Sequence, residues 1–264
     1  MKPVLLLALL LTYPSILAQE KQPVALKQQN LIRESGAIVR GDTTEQTLAL
    51  IFTGDAYAEG AQYIIKALNE HDVKASFFFT GNFYRNPEFK ELIEELVTQD
   101  HYLGAHSDKH LLYNDWTNRD SLLVTREEFR EDLWNNYREM KKFGISPKDA
   151  PFFLPPYEWY NDSISSWTRK EGFHLINITH GTLSHADYTT PDMANYRDSP
   201  EIYNSILSYE ESSSHGLNGF LLLIHLGVGP DRTDKFHHYL PQLLTELTAR
   251  GYSFSRVDQL LTRP

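Results

Sequence analysis

The segment His106-Ser107-Asp108-Lys109-His110 sets two imidazoles four residues apart with a carboxylate between them. Far upstream, Asp55 stands just after the apolar run Leu48-Ala49-Leu50-Ile51-Phe52. Two histidines and one aspartate form a facial ligand set for a divalent metal. Three protein ligands leave coordination positions open, which suits hydrolysis better than a closed structural site. A His-x-x-x-His spacing alone carries little weight, because two such histidines are equally well surface or core residues; Asp55 gives the pair its meaning. His225 closes the apolar run Gly219 to Ile224. It reads either as a hydrogen-bonded core histidine or as a general acid, since imidazole titrates near neutral pH. Asp187 is the best candidate for the carboxylate that would hold it protonated. Glu158 lies in Pro155-Pro156-Tyr157-Glu158-Trp159-Tyr160-Asn161. It reads as an acidic residue at a helix start or as a carboxylate in a site, with Tyr157 or Trp159 as a sugar-stacking wall.

These residues need a scaffold that brings distant positions together. From Thr47 onward, short apolar runs alternate with amphipathic stretches. Strands are predicted at 47–53, 74–80, 102–105, 150–154, 173–178, 219–224 and 252–257. Helices are predicted at 60–69, 87–97, 125–143, 162–171, 200–213 and 234–250. Runs such as Phe220-Leu221-Leu222-Leu223-Ile224 suit parallel strands covered on both faces. About seven β/α units in one domain predict an α/β fold, a distorted (β/α) barrel of seven strands. Each chemical candidate follows the C-terminal end of a predicted strand, where barrels of this kind place their active sites. The stretch from His180 to Ser199, which carries His180, His185 and Asp187, lacks clear periodicity, and loops of such length are often functional.

Residues 1–18 read as a secretory signal: Lys2 supplies the positive charge, Val4 to Leu11 the apolar core, and Ala18 the cleavage edge. That predicts export to the periplasm or the exterior. The apolar core is too short to span a bilayer, and no later run is long enough, so no membrane span is expected in the mature chain. Residues 19–46 are read as a polar segment packed on the domain surface, and 47–264 as the domain. The 264-residue chain has no cysteine, which excludes disulfides and thiolate chemistry. Its net charge of −10 and lack of a basic cluster exclude a nucleic-acid footprint.

The motifs together resemble the polysaccharide deacetylase family, also called the NodB-homology or carbohydrate esterase 4 group, over residues 47–258. His106-Ser107-Asp108-Lys109-His110 is similar to that family's His-Ser/Thr-x-x-His metal motif. Phe152-Phe153-Leu154-Pro155-Pro156-Tyr157 resembles its Arg-x-Pro-Tyr groove motif, Asp187-Tyr188 its Asp-Trp motif, and Leu222-Leu223-Ile224-His225 its Leu-x-His motif. The resemblance implies a zinc-type divalent ion on Asp55, His106 and His110. It also implies an acetylated glycan substrate, His225 as general acid, and a groove that includes Leu154 and Tyr157. Two departures stand out. In the family's Thr-Phe-Asp-Asp motif the first Asp is the base and the second binds metal; the stretch here is Phe52-Thr53-Gly54-Asp55, with Gly54 at the base position. The Arg that tethers that base is Leu154 here. Losing both together is consistent, since a buried Arg without its carboxylate is an unpaired charge.

The expected activity is therefore metal-dependent removal of acetyl groups from N- or O-acetylated glycans, with Glu158 or Asp108 as substitute base. A carbohydrate-binding pseudoenzyme is the alternative that Gly54 supports. Hydrolysis of another non-peptide C–N bond would use the same site.

Overall fold

The computed structural model describes residues 30–262. The predicted signal segment lies outside the described residues. The chain first forms a hairpin, β1 (Ile32–Glu34) and β2 (Ala37–Arg40), turned by Ser35 and Gly36 with φ of 41° and 80°. Two successive left-handed residues match the twist of a tight hairpin. There follow β3 (Thr47–Gly54), α1 (Ala61–Glu70), β4 (Ser76–Phe79), α2 (Gly81–Arg85), α3 (Lys90–Thr98), β5 (Tyr102–Ala105), α4 (Arg126–Lys141) and β6 (Phe152–Phe153). The rest comprises α5 (Asp162–Lys170), β7 (His174–Leu175), α6 (Ser199–Ser212), β8 (Leu221–His225), α7 (Leu240–Ala249), β9 (Ser253–Phe254) and α8 (Val257–Thr262).

Among the described residues the main sheet has seven strands, all paired in parallel, in the order β7-β6-β5-β4-β3-β8, with β9 against the start of β3. It is a parallel sheet curled into a half-barrel with helices outside, the distorted β/α barrel predicted. β3 and β8 are buried almost throughout, as strands covered on both faces must be. α1 buries Ala61, Ile64, Ile65 and Leu68 along one stripe, the spacing that lays a helix on a sheet. Thr125 and Glu128 form a reciprocal capping box at the start of α4.

Three differences from the sequence reading bear on the site. First, residues 37–40 are not surface chain. Ala37, Ile38 and Val39 are buried, Ile38 bridges Ile176 just beyond β7, and Arg40 bridges Phe220 just before β8. β2 thus spans the gap between β7 and β8. Second, the predicted strand 173–178 shortens to two residues in β7, because the chain beyond it turns to β2: Asn177 N–H donates to Ile38 O at 2.9 Å. Third, the predicted helix 87–97 splits into a 3-10 turn (Pro87–Phe89) and α3, and the short α2 precedes it. Thr80 starts α2 by accepting the Phe83 N–H at 3.1 Å.

Candidate active site

The sequence candidates gather at the C-terminal ends of the strands. Asp55 follows β3 and is held from β4: Thr80 Oγ1 donates to its Oδ1 at 2.6 Å and Asn82 Nδ2 at 3.3 Å. The hydroxyl that caps α2 therefore also fixes this carboxylate. His106 follows β5 and is buried. Its Nδ1 lies 2.9 Å from Leu154 O; a carbonyl only accepts, so Nδ1 carries the proton and Nε2 keeps its lone pair. Burial depresses the His106 pKa strongly, the His110 and His225 charges add to this, and the Leu154 hydrogen bond opposes it. His110 is also lowered by burial, against Asp55 and with His225. Both rings are thus neutral, the form that binds metal. Their centroids are 5.1 Å apart.

α4 supports this loop from below. Asn136 Oδ1 accepts the His106 N–H at 2.8 Å. One turn earlier, Asp132 accepts from Asp108 N–H, Lys109 N–H and the Tyr113 hydroxyl at 3.2, 3.1 and 2.6 Å. The sequence reading missed both residues. Their signal is two polar side chains, four apart, on the face of α4 that also buries Phe129, Leu133 and Met140.

The β6 end supplies Tyr157 and Glu158, successive residues with φ of 60° and 52°. Ser107 and His110 are left-handed as well, at 73° and 55°. Non-glycine residues in this region cost roughly 1–3 kcal/mol each, and such strain concentrates at functional sites. Asn177 Nδ2 holds Glu158 O at 2.8 Å, and Ser107 Oγ accepts the His110 N–H at 2.8 Å. Burial pushes the Glu158 carboxyl up to about 7, with His225 opposing and Asp187 adding to the rise.

Asp187 lies in a 3-10 turn (Ser184–Tyr188) within the aperiodic stretch after β7, and it grips His225 twice. Its Oδ1 is 2.6 Å from His225 Nδ1, and its Oδ2 accepts the His225 backbone N–H at 2.9 Å. Burial alone would lower the His225 pKa. The Asp187 charge and hydrogen bond, with Glu158 nearby, outweigh burial and hold it above 6.5. His180 is exposed and His185 half-buried, and burial first, then His180, lowers the His185 pKa.

Several expectations change. Leu154 is 0 % exposed, so its side chain cannot line a groove; it contributes its carbonyl to His106. Asp108 is not available as a base: it is buried and paired with Arg85 at 2.5 Å. Trp159 is half-buried, with Arg119 4.4 Å above its ring and its Nε1 donating to Asp115 O, so it supports a wall more than it forms one. A Cβ added at Gly54 would meet the Phe79 and Phe83 rings at 3.0 Å. A carboxylate there would point into aromatic packing. Thr53, in register with His225, shares that residue's face of the sheet instead.

The donor chemistry of Asp55, His106 and His110 fits a divalent ion: two neutral imidazoles, one with its tautomer fixed, and a carboxylate. Among the described residues, however, no three His, Asp or Glu side chains are gathered closely enough to hold one.

The family model for polysaccharide deacetylase matches residues 40–176. The chain is 24% identical over 241 residues to the peptidoglycan-N-acetylmuramic acid deacetylase PdaA of Bacillus subtilis, covering 90% of this chain and 81% of that one. The solved structure of PdaA, described as a family 4 carbohydrate esterase, superposes with a TM-score of 0.65 at 23% identity over 91% of this chain and 92% of that chain. A family 4 pseudoenzyme from Bacillus anthracis superposes with a TM-score of 0.66 at 18% identity, over 86% and 69% of the two chains. The likenesses to solved structures concern the fold; the match over residues 40–176 spans more than half of the sequence, and by it the chain belongs to the polysaccharide deacetylase family.

Proposed function

We propose that the protein is a metal-dependent hydrolase that releases acetyl groups from an acetylated glycan outside the cytoplasm. The observation that carries this reading is the doubly bonded Asp187–His225 pair beside a carboxyl raised to about 7. Two titrating groups whose environments set them to opposite tasks are the signature of acid–base hydrolysis. His225, kept protonated by Asp187, gives its proton from Nε2 to the departing amine or alkoxide. Glu158 takes a proton from the attacking water, and its pKa near neutrality suits a base that must be ionised part of the time. Tyr157 walls the site on the His110 side, with ring centroids 4.4 Å apart. Asp55, His106 and His110, drawn closer together than they stand in this structure, would hold the divalent ion, zinc by ligand type. When bound it supplies Lewis-acid polarisation of the acyl oxygen and a water of lowered pKa.

A second reading, a glycan-binding pseudoenzyme, is favoured by Gly54 and by the spread of the Asp55, His106 and His110 side chains. Peptidoglycan deacetylases among the relatives support the catalytic reading. Acetate release is to be followed on acetylated chito-oligosaccharide, acetylxylan and peptidoglycan, before and after chelation and with His106→Ala. The enzyme reading requires release that chelation abolishes and zinc restores. Release that survives chelation removes the metal from the mechanism; binding without release on every glycan establishes the pseudoenzyme. Export by residues 1–18 is checked by cell fractionation and by sequencing the mature N-terminus.

A further inference from the structure

The connection from β5 to α4 carries the exposed indole of Trp116, which the reaction does not use. Trp116 is 54 % exposed. A lone exposed tryptophan needs no explanation, but this one rests against two other rings. Its ring centroid lies 5.5 Å from Tyr157, which is itself 43 % exposed and packs on His110. On another side lies Trp159, also at 5.5 Å and inclined by 34°. Arg119 covers the Trp159 ring and donates to Tyr160 O at 2.6 Å, so the supporting ring is itself fixed.

The backbone that carries Trp116 is braced as tightly. Asp115 N–H donates to Ser121 O and Leu123 N–H to Tyr113 O, both at 2.9 Å, closing the loop on itself. The Asp115 carboxylate accepts the Thr117 and Asn118 N–H groups at 2.8 and 2.7 Å. Asn161 Nδ2 donates to Arg119 O at 2.8 Å and ties the loop to the start of α5. A large apolar ring is therefore presented to water on a hydrogen-bonded loop, in an unbroken series of rings leading from His110. Such preorganisation has no packing purpose, because the ring covers no core. It lowers the ordering cost of binding a flat, partly apolar partner.

We propose that Trp116, seated on Tyr157 and Trp159, is a stacking platform for a pyranose ring of the glycan, adjacent to the sugar held at His225. One face of a pyranose presents C–H groups and its rim presents hydroxyls, so it matches an aromatic face bordered by polar groups. The assignment of the neighbouring sugar to His225 rests on the deacetylase reading. The platform makes the protein selective for chains over single sugars.

The test compares the wild type with Trp116→Ala and Trp116→Phe, by calorimetric binding and by acetate release. The probes are acetylated chito-oligosaccharide, peptidoglycan glycan strands and monomeric N-acetylglucosamine. Trp116→Ala is expected to weaken chain binding about tenfold, raising KM while leaving kcat and the monosaccharide unchanged; Trp116→Phe recovers most of the loss. Chain binding unaffected by Trp116→Ala overturns the inference, as does an equal loss on chain and monosaccharide. Release without dependence on Trp116 sinks the platform alone. Trp116-dependent binding without release sinks the deacetylase reading alone. Neither binding nor release on any probe sinks both.

Discussion

Asp187 positions His225 and sets its charge, and those two effects separate in one substitution. With Asp187→Asn the backbone bond can persist, but the carboxylate that outweighs burial is gone, so the His225 pKa falls below 6.5. A general acid works only while protonated, so the alkaline limb of the kcat/KM profile moves to lower pH. The acidic limb, set by Glu158 at about 7, stays above it, and the two no longer bracket an optimum. The rate at neutral pH should drop about 10²-fold or more, read from the pH profile of acetate release. The linkage has the same sign. The raised His225 pKa stabilises the fold fully below 6.5, and that contribution is lost as pH rises through the folded value; Asp187→Asn removes it. Gly54 gives a second prediction. Restoring a carboxylate with Gly54→Asp directs it at Phe79 and Phe83, so turnover does not rise and stability falls by about 1–3 kcal/mol in a denaturant melt. A gain in turnover would show that the ring packing yields and that position 54 reaches the mouth. At this scale the sequence makes the places of His106 and His225 readable, because each directly follows an apolar run, whereas Asp187 stands in an aperiodic stretch and only the fold sets it against His225. Nor does the sequence reveal the fates of Asp108 and Leu154. Those are decided by Arg85 on α2 and by the ring nitrogen of His106, partners that no local pattern announces.

The helix behind a strand end does as much for this site as the strand. Loop 106–110 has two left-handed residues and three backbone donors that α4 satisfies through Asn136 and Asp132. Asp132 is itself costly to bury: burial raises its pKa against the hydrogen bonds it receives from Tyr113, Asp108 and Lys109. Asp132→Ala leaves those donors without a partner and should cost about 3 kcal/mol. Amide exchange at Asp108 and Lys109 should quicken, while Glu131→Ala, exposed on the same helix, changes neither exchange nor melting. Equal protection in both variants would mean that the loop holds its own shape. Elements with explicit start signals are legible in the sequence, as with α4 behind Thr125 and Glu128. α2 is not, because five residues show no periodicity and their cap, Thr80, reads as the end of a strand. β7 is overread for the opposite reason: Phe173 to Ile178 is rich in apolar residues, but after Ile176, whose N–H still donates to Phe153 O of β6, the chain turns to β2 through Asn177.

Closure of the half-barrel is a property of the whole chain, and it depends on a strand that composition hides among polar residues. β2 joins β7 to β8 and presents Arg40 to the loop before β8. Arg40 is buried, donating from Nε to Asn218 O at 2.8 Å, from Nη2 to Gly216 O at 2.8 Å, and from Nη1 to the Tyr209 hydroxyl at 3.1 Å. The guanidinium is required here because its acceptors, which also include His215 O at 3.4 Å, are spread over all three of its nitrogens, which a single ammonium cannot serve. Arg40→Ala should therefore cost about 3 kcal/mol, and Arg40→Lys should recover little of it. For a domain of this size that corresponds to a fall in Tm of roughly 10 °C. The loss should reach the site as well. Asn177, whose backbone N–H donates to Ile38 of β2, is the residue whose side chain holds the Glu158 carbonyl. Loosening β2 thus frees a strained Glu158, and kcat should fall in Arg40→Ala even at temperatures where the variant is fully folded. If the variant melted at the wild-type temperature with unchanged kcat, β2 would be a surface strap, and the barrel would close without it.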